Sequence, residues 1–545
     1  MTTLDEEPLL DGDEIQGNIV PGFLKPHMAV LALGLDRDRI PLMRRWCHAI
    51  ASEVTALSTV MRTREHVRAL EHQRAEAKLS ALRGPTVGAA LALSDVLGDV
   101  RDVWLSVAFS RPALQALLPD GQSDSIAAFT DPAFQLGMTA RSTSLGDPAD
   151  PTAEGHHSTW KVRDPDILLV IGADDEGDLG DYLGELRPEL ARHGFGVVYE
   201  ELGHKLDAIG SEHFGFQDGV SQPGVRGRYG QNADFLTPRY VADIAGQRPE
   251  CWLYGLPGQH LVWPGEFVFG YPGQGSDPLL RGDERLPGPH WSRNGSYLAF
   301  RRLRQDVPAF RAFLEESARR LLPWEITAQK IGADVVGRWP SGAPVARTPG
   351  KDIPELGVDR LRNDYFEFGS DARALVLTNG ETTDRDHPDA DADPIGLICP
   401  QFAHIRKVNP RTAASDVGGR MASFTRRILR RGLPYGPVYD QDPDADRGLL
   451  FLSYQTSIVD QFEFLNRQWM GDYANPRSPG DHDMLVGQNG QPGQHRLRQC
   501  AVPTAGGTTL AAVRDFVIPT GGGYFFTPSI TALREVLGAP DAGAP

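Results

Sequence analysis

Cysteine is scarce in this sequence: four in 545 residues, at positions 47, 251, 399 and 500. No two of them form a CxxC pair, which argues against a zinc cluster and against a disulfide scaffold. Long apolar runs are lacking as well, and none approaches the roughly 18 residues that a membrane span needs. The opening stretch, MTTLDEEPLLDGDEIQGN, has neither a basic n-region nor an apolar h-region. It therefore does not read as a secretory or twin-arginine signal, and the expectation is a soluble cytoplasmic protein. Basic excess is missing too: 55 Lys and Arg stand against 72 Asp and Glu, a formal net charge of −17. That balance argues against non-specific nucleic-acid binding and against docking on anionic lipid. An acidic surface tolerates cations better than polyanions.

What is present is ordinary for a folded protein, with 40% hydrophobic and 23% charged residues. The length exceeds what one core usually supports, so two domains are expected. The first half alternates strand and helix patterns. HMAVLALGL (27–35), WLSVAFS (104–110), DILLVIGA (166–173) and FGVVYEEL read as strands. PLMRRWCHAIASEV (41–54) and DYLGELRPELARHG read as helices. The order β-α-β, β-α-β is the split pattern of a ferredoxin-like unit. The second half hints at the same alternation. GEFVFGY (265–271), GSYLAFRRL (295–303), LLFLSYQ (449–455) and the start of GGYFFTPSITALREVL are its strand candidates. VPAFRAFLEESARRLL and DQFEFLNRQWM are its helices. Between them lie polar loops, ETTDRDHPDADADP, DQDPDADRG and NPRSPGDHDMLVGQNGQPGQH, which read chiefly as solvated surface, although loops this long are often functional.

Three features carry chemistry. HFGFQDGVSQPG (213–224) sets one acid, Asp218, among glycines, aromatics and a proline, where losing water costs free energy unless something uses the charge. His404, in LICPQFAHIRKVNPR, has an apolar approach that suits an axial metal ligand, although a histidine so placed is more often a hydrogen-bonded core residue. Cys399 in the same stretch is a rival ligand, ranked lower because no basic residue immediately precedes it to activate the thiol. The third feature is FTRRILRRGLPYGPVYD (424–440), whose Gly/Pro turn can aim one guanidinium inward as a fixed counter-charge for Asp218. His66 and His72, on a charged helical stretch, read as solvated.

An acid, a fixed cation and an iron ligand are the set that peroxide cleavage on heme requires. The ordered motifs make the resemblance specific. GFQDG fits the GxxDG signature of the dye-decolorizing peroxidases, and EIQGNIVPGFLKPH (14–27) resembles the opening of that family. PGEFVFGY, RNGSYLAFRRLRQDV, GRWPSGAP, AHIRKVNPR and RRGLPYGP resemble further family segments, in order along the chain. The resemblance implies an α+β fold of two ferredoxin-like domains, of the dimeric α+β barrel type, with antiparallel sheets and peripheral helices. The expected division is 1–230, ending with the GxxDG motif, and 231–545, holding heme b. It implies Asp218 as distal acid–base residue, Arg430 as distal arginine with Arg431 pointing away, and His404 as axial iron ligand. It also implies a hydrogen-peroxide-reducing enzyme that oxidises dyes, phenols or other one-electron donors, and is most active in acid. Absence of a secretion signal resembles the long cytoplasmic branch, its surplus length lying in TREHVRALEHQRAEAKLSALRG and the acidic loops.

Several choices stay open in the sequence. Asp460 and Glu463 are candidates to orient the His404 ring, with an ordinary helix face as the equal alternative. Bulky reductants would be oxidised at the surface through residues such as Trp339, Tyr435, Tyr454 or Trp469, each of which reads better as a core aromatic. The carboxylates are compatible with a Mn²⁺ site, but its convergent oxygens are not evident. A non-enzymatic heme carrier or sensor would use His404 without needing Asp218 and Arg430. A deferrochelatase-like protein, releasing iron from heme, would use the same pocket. Oligomeric state is open.

Overall fold

The computed structural model describes residues 7–64, 102–119, 123–147, 162–207, 210–217, 219–231, 234–247, 250–477, 481–488, 498–502, 508–512 and 514–539. Asp218, His66 and His72 lie outside the described residues, as does the helix expected over 63–84 beyond Arg64.

The first half builds β1 (His27–Leu35), α1 (Ile40–Ile50), β2 (Trp104–Phe109), β3 (Ile167–Ala173), α2 (Glu176–Arg192) and β4 (Phe195–His204). Its strands lie antiparallel in the order β4-β1-β3-β2. The second half builds β5 (Ser296–Gln305), α3 (Val307–Arg320), β6 (Leu433–Tyr435), β7 (Gly448–Gln455) and β8 (Val517–Thr527). Its order is β8-β5-β7-β6, the same ferredoxin-like arrangement. The second crossover helix is wound as two π-helical segments, Ile458–Glu463 and Leu465–Met470. The sheets meet at both edges, through the pairs Tyr435↔Gly203 and Phe109↔Phe526. Eight strands thus close into one ring, which leaves neither sheet a free edge there.

Strand alternation explains the core. Side chains two apart share a face, so each strand feeds two clusters. Val30, Ala32, Leu168 and Val170 pack inward against Leu298, Phe300, Leu450, Leu452 and Phe525 of the opposite sheet. Ala29, Leu31 and Leu33 face outward onto Met43, Trp46 and Ile50 of α1 and Leu183 and Leu186 of α2. Helix starts are specified locally: Asp175 accepts from the backbone N–H groups of Gly177 and Asp178, and Asp306 from that of Ala309.

One expected strand is not formed. Residues 265–271 begin instead as a 3-10 turn, Pro264–Glu266, and strand geometry starts only at Tyr271. Pro264 fixes a helical φ, and its carbonyl accepts from Phe267 N at 2.9 Å and Val268 N at 2.8 Å, which closes a turn.

Candidate functional site

A cavity lies on the outer face of the second sheet. Its floor is Arg301, Leu303 and Gln305 of β5, Leu449 and Phe451 of β7, and Val517 and Pro519 of β8. One wall is the segment around His404 with the π-helical residues Phe462, Leu465, Asn466 and Met470. The lining also includes Gln217, Gly219, Val220, Ser221 and Pro223 with Arg430. His404 and Arg430, far apart in sequence, therefore line the same space. Gln217 and Gly219, the sequence neighbours of Asp218, line it too.

His404 opens a short helix, His404–Val408, and its side chain keeps 24% of its surface accessible, toward the cavity. Its Nδ1 lies 2.8 Å from Oδ2 of Asp483. Asp483 is fully buried, and its other oxygen accepts from Leu485 N and Val486 N at 2.9 and 3.0 Å. Burial alone would raise this carboxyl. The His404 ring, the Val486 N–H and Lys407 outweigh it and hold the carboxyl below its ordinary range. An ionised carboxylate only accepts, so Nδ1 carries a ring proton and Nε2 is the nitrogen left toward the cavity.

The orienting partner is thus neither of the two residues considered from sequence. Asp460 is exposed and pairs with Arg426, and Glu463 is buried against Arg141 and the Tyr524 hydroxyl. Asp483 comes from the long loop read as surface. What brings it in is the basic stretch after the histidine: Lys407 is buried and donates to the carbonyls of Asp472 and Asp481, at 2.8 and 2.6 Å. Cys399 does not line the cavity, and burial pushes its thiol up to about 12.

Arg430 pairs with Ser453 at the edge of β7 and sends Nη2 to the Ser221 carbonyl at 3.0 Å. Arg431 turns away. Its guanidinium is buried and donates to the carbonyls of Asn18, Ile19 and Arg430. Burial and then the nearby Arg64 push it down to about 9. Gly215 and Gly219 take φ of +91° and +77°, and no other protein atom lies within 4 Å of where a Cβ would stand at either. Left-handed backbone is therefore what demands glycine on both sides of Asp218. Phe214 and Phe216 pack on Phe310 of α3, at ring distances of 4.6 and 6.5 Å.

Trp339, Tyr435, Tyr454 and Trp469 are all buried, at 3% exposure or less, so none presents itself at the surface. Among the described residues no group of three or more His, Cys, Asp or Glu side chains forms a metal-binding cluster.

The cavity fits heme b by its chemistry. Beside the His404 imidazole, Val336, Ile405, Val408, Phe451, Phe462, Leu465 and Leu485 offer apolar walls. Arg301, Arg338, Arg411, Arg426, Arg427 and Arg430 line it against a single lining carboxylate, Glu212, among the described residues. Four of the six are held by carboxylates behind the lining, Arg301 by Asp147, Arg338 and Arg411 by Asp364, and Arg426 by Asp460, so the lining itself presents cationic and apolar groups, which suits a flat apolar macrocycle carrying two carboxylates.

Comparison with known proteins agrees with this chemistry. A family model described as "Dyp-type peroxidase, C-terminal" matches residues 284–478. The dye-decolorizing peroxidase msp1 of Mycetinis scorodonius is 32% identical over 459 residues, which is 79% of this chain and 76% of that protein. A solved ancestral D-type dye-decolorizing peroxidase superposes with a TM-score of 0.71 at 28% identity, covering 97% of this chain and 99% of the other. A deferrochelatase of Yersinia pestis matches over 131 residues only, 23% of this chain and 28% of that protein, at 32% identity.

Proposed function

The chain belongs to the dye-decolorizing peroxidase family, and from that premise we propose that His404, Arg430 and Asp218 divide the work of a heme peroxidase within one cavity. The enzyme reduces hydrogen peroxide and oxidises dyes or phenols. Heme b, when bound, supplies the redox centre that accepts oxidising equivalents from peroxide and releases them one electron at a time. His404 would hold it through Nε2, with Asp483 fixing the ring tautomer and enriching its electron density. Asp218, flanked by two cavity-lining residues, takes a proton from one peroxide oxygen and returns it to the other, so that the latter leaves as water. Arg430 cannot deprotonate, and its guanidinium holds the negative charge that develops on the leaving oxygen. The observation that carries this reading is that His404 and Arg430, far apart in sequence, line one arginine-rich cavity. A carrier or sensor would not need that arginine.

The test compares neighbours. Arg430→Leu should slow the spectral change on mixing with peroxide by roughly 10²–10³-fold, the scale of losing one preorganised donor, with heme content intact. Asp218→Asn should slow it by about 10²-fold. Arg431→Leu should leave the rate within a few-fold but lower thermal stability, because three backbone carbonyls lose their donor. Equal rates for the two leucine variants would remove Arg430 from the mechanism.

A further inference from the structure

We propose that Asp364 is the positioning residue of the distal wall: acting through Ser221, it fixes where the Arg430 guanidinium stands. This rests on the reading of Arg430 given above and adds what holds that residue in place.

The segment just after Gly219 grips Arg430 at three points. The Ser221 carbonyl accepts from its Nη2 at 3.0 Å. Gln222 Oε1 accepts from its backbone N–H, and Gln222 Nε2 donates to its carbonyl, both at 3.3 Å. A loop can aim a guanidinium only as well as the loop itself is fixed, and the anchor here is the Ser221 hydroxyl. It donates to Oδ1 of Asp364 at 2.5 Å. The same oxygen accepts from Arg338 Nη2 at 2.7 Å and Arg411 Nη2 at 2.6 Å, while Arg338 Nη2 also donates to the Ser221 hydroxyl at 2.9 Å.

Each partner is locked in turn. Arg338 Nη1 donates to the carbonyls of Gly342 and Asn363, at 2.8 and 2.7 Å. Arg411 Nη1 donates to those of Asp364 and Phe366, both at 3.1 Å, and its guanidinium lies 3.9 Å from the Phe366 ring centroid. Asp364, Arg338 and Arg411 are all buried, at 6%, 2% and 2% exposure. Displacing the carboxylate would leave buried guanidinium groups unpaired, which costs far more than a neutral hydrogen bond. The hub is therefore stiff, and Ser221 inherits that stiffness. Arg411 also stands only seven residues beyond His404, so one carboxylate ties the distal segment to the chain that carries the axial histidine. Two guanidiniums on one carboxylate leave net positive charge at this wall, and burial followed by Arg411 pushes the neighbouring Arg427 down to about 10.

The experiment uses the full-length, heme-loaded protein and cyanide as an anionic probe of the distal wall, read at the Soret band beside the peroxide reaction. Ser221→Ala keeps the carboxylate and both arginines paired. It should weaken cyanide binding and slow the peroxide reaction together, by about 3- to 10-fold, the scale of one net hydrogen bond, with heme content intact and far-UV circular dichroism unchanged. Ser221→Thr restores the hydroxyl and should return both to within about twofold. Asp364→Asn should give a larger loss of cyanide affinity. If that variant does not fold, Ser221→Ala carries the test alone. Wild-type cyanide affinity and peroxide rate in Ser221→Ala, with both lost in Arg430→Leu, would overturn the proposal and leave the role of Arg430 standing. Unchanged behaviour in Arg430→Leu as well would mean that the distal reading itself has failed.

Discussion

The two four-stranded sheets share one strand order and differ in what their outer faces cover. In the first, Ala29, Leu31 and Leu33 lie under α1 and α2 in a closed apolar contact. In the second, β5 starts in the same manner with Tyr297 and Ala299, then changes to Arg301, Leu303 and Gln305, which form the floor of a cavity. The connections differ in the same direction. Between α3 and β6 the second half carries Arg338, Asp364, His404, Arg411 and Arg430, all of them at the site. Topology is therefore scaffold here, and chemistry resides in the segments hung on one copy of it.

The sharpest way to break this asymmetry is His404→Ala. The variant should lose most of its heme, or show a changed ligand spectrum, while the first sheet stays folded. Pyridine hemochrome content against protein, with far-UV circular dichroism as control, decides it. A normal five-coordinate histidine spectrum would mean that another residue is the ligand.

A smaller effect is expected behind the His404 ring. Asp483→Asn keeps the shape but not the charge, and should cost about 10- to 100-fold in heme affinity. It also has a pH signature. The Asp483 carboxyl is held below its ordinary value, so its stabilisation is present above about pH 4 and is lost as pH falls through the depressed folded value. Heme retention followed against pH should show a step below about pH 4 in the wild type and none there in the variant.

His213 offers a third comparison, between the distal segment and the rest of the fold. Burial lowers its imidazole to about 4, against a partial opposing effect of the Tyr435 carbonyl, to which Nε2 bonds at 2.8 Å. The unfolded chain takes up this proton near pH 6.5 and the folded one does not until about 4. Stability should therefore decline as pH falls between those values, by about 3 kcal/mol at most from this group, and level off below. Urea midpoints across pH should show a shallower decline in His213→Gln.

The least effect, and the cleanest contrast, comes from matched helix caps. Asp175→Ala and Asp306→Ala each remove an N-cap carboxylate and should each cost about 1 kcal/mol in unfolding free energy. Heme affinity and peroxide rate should be untouched by the first. A change in either would show that the first half contributes more than scaffold.

How much of this was legible depends on the distance over which each feature is encoded. Strand and helix positions in the first half could be read from the sequence because period 2 and period 3.6 are local, and β1 runs over the residues expected, His27–Leu35. The ordered motifs likewise pointed to the family before any geometry was known. Local patterning misled at 265–271, where Pro264 closes a turn inside an apolar run. It was silent about Asp483, because a carboxylate in a polar loop has the same local pattern whether it meets water or an imidazole. Only the folded chain decides that, through Lys407 pinning the loop 79 residues downstream of its histidine partner to the same wall. The four aromatics weighed as surface relays were settled the same way, by burial that no single residue encodes. The sequence by itself determined which residue types are present and which periodicities they follow. The tertiary structure decided which of them share a cavity, because contacts between segments far apart in the chain arise only when the sheets close.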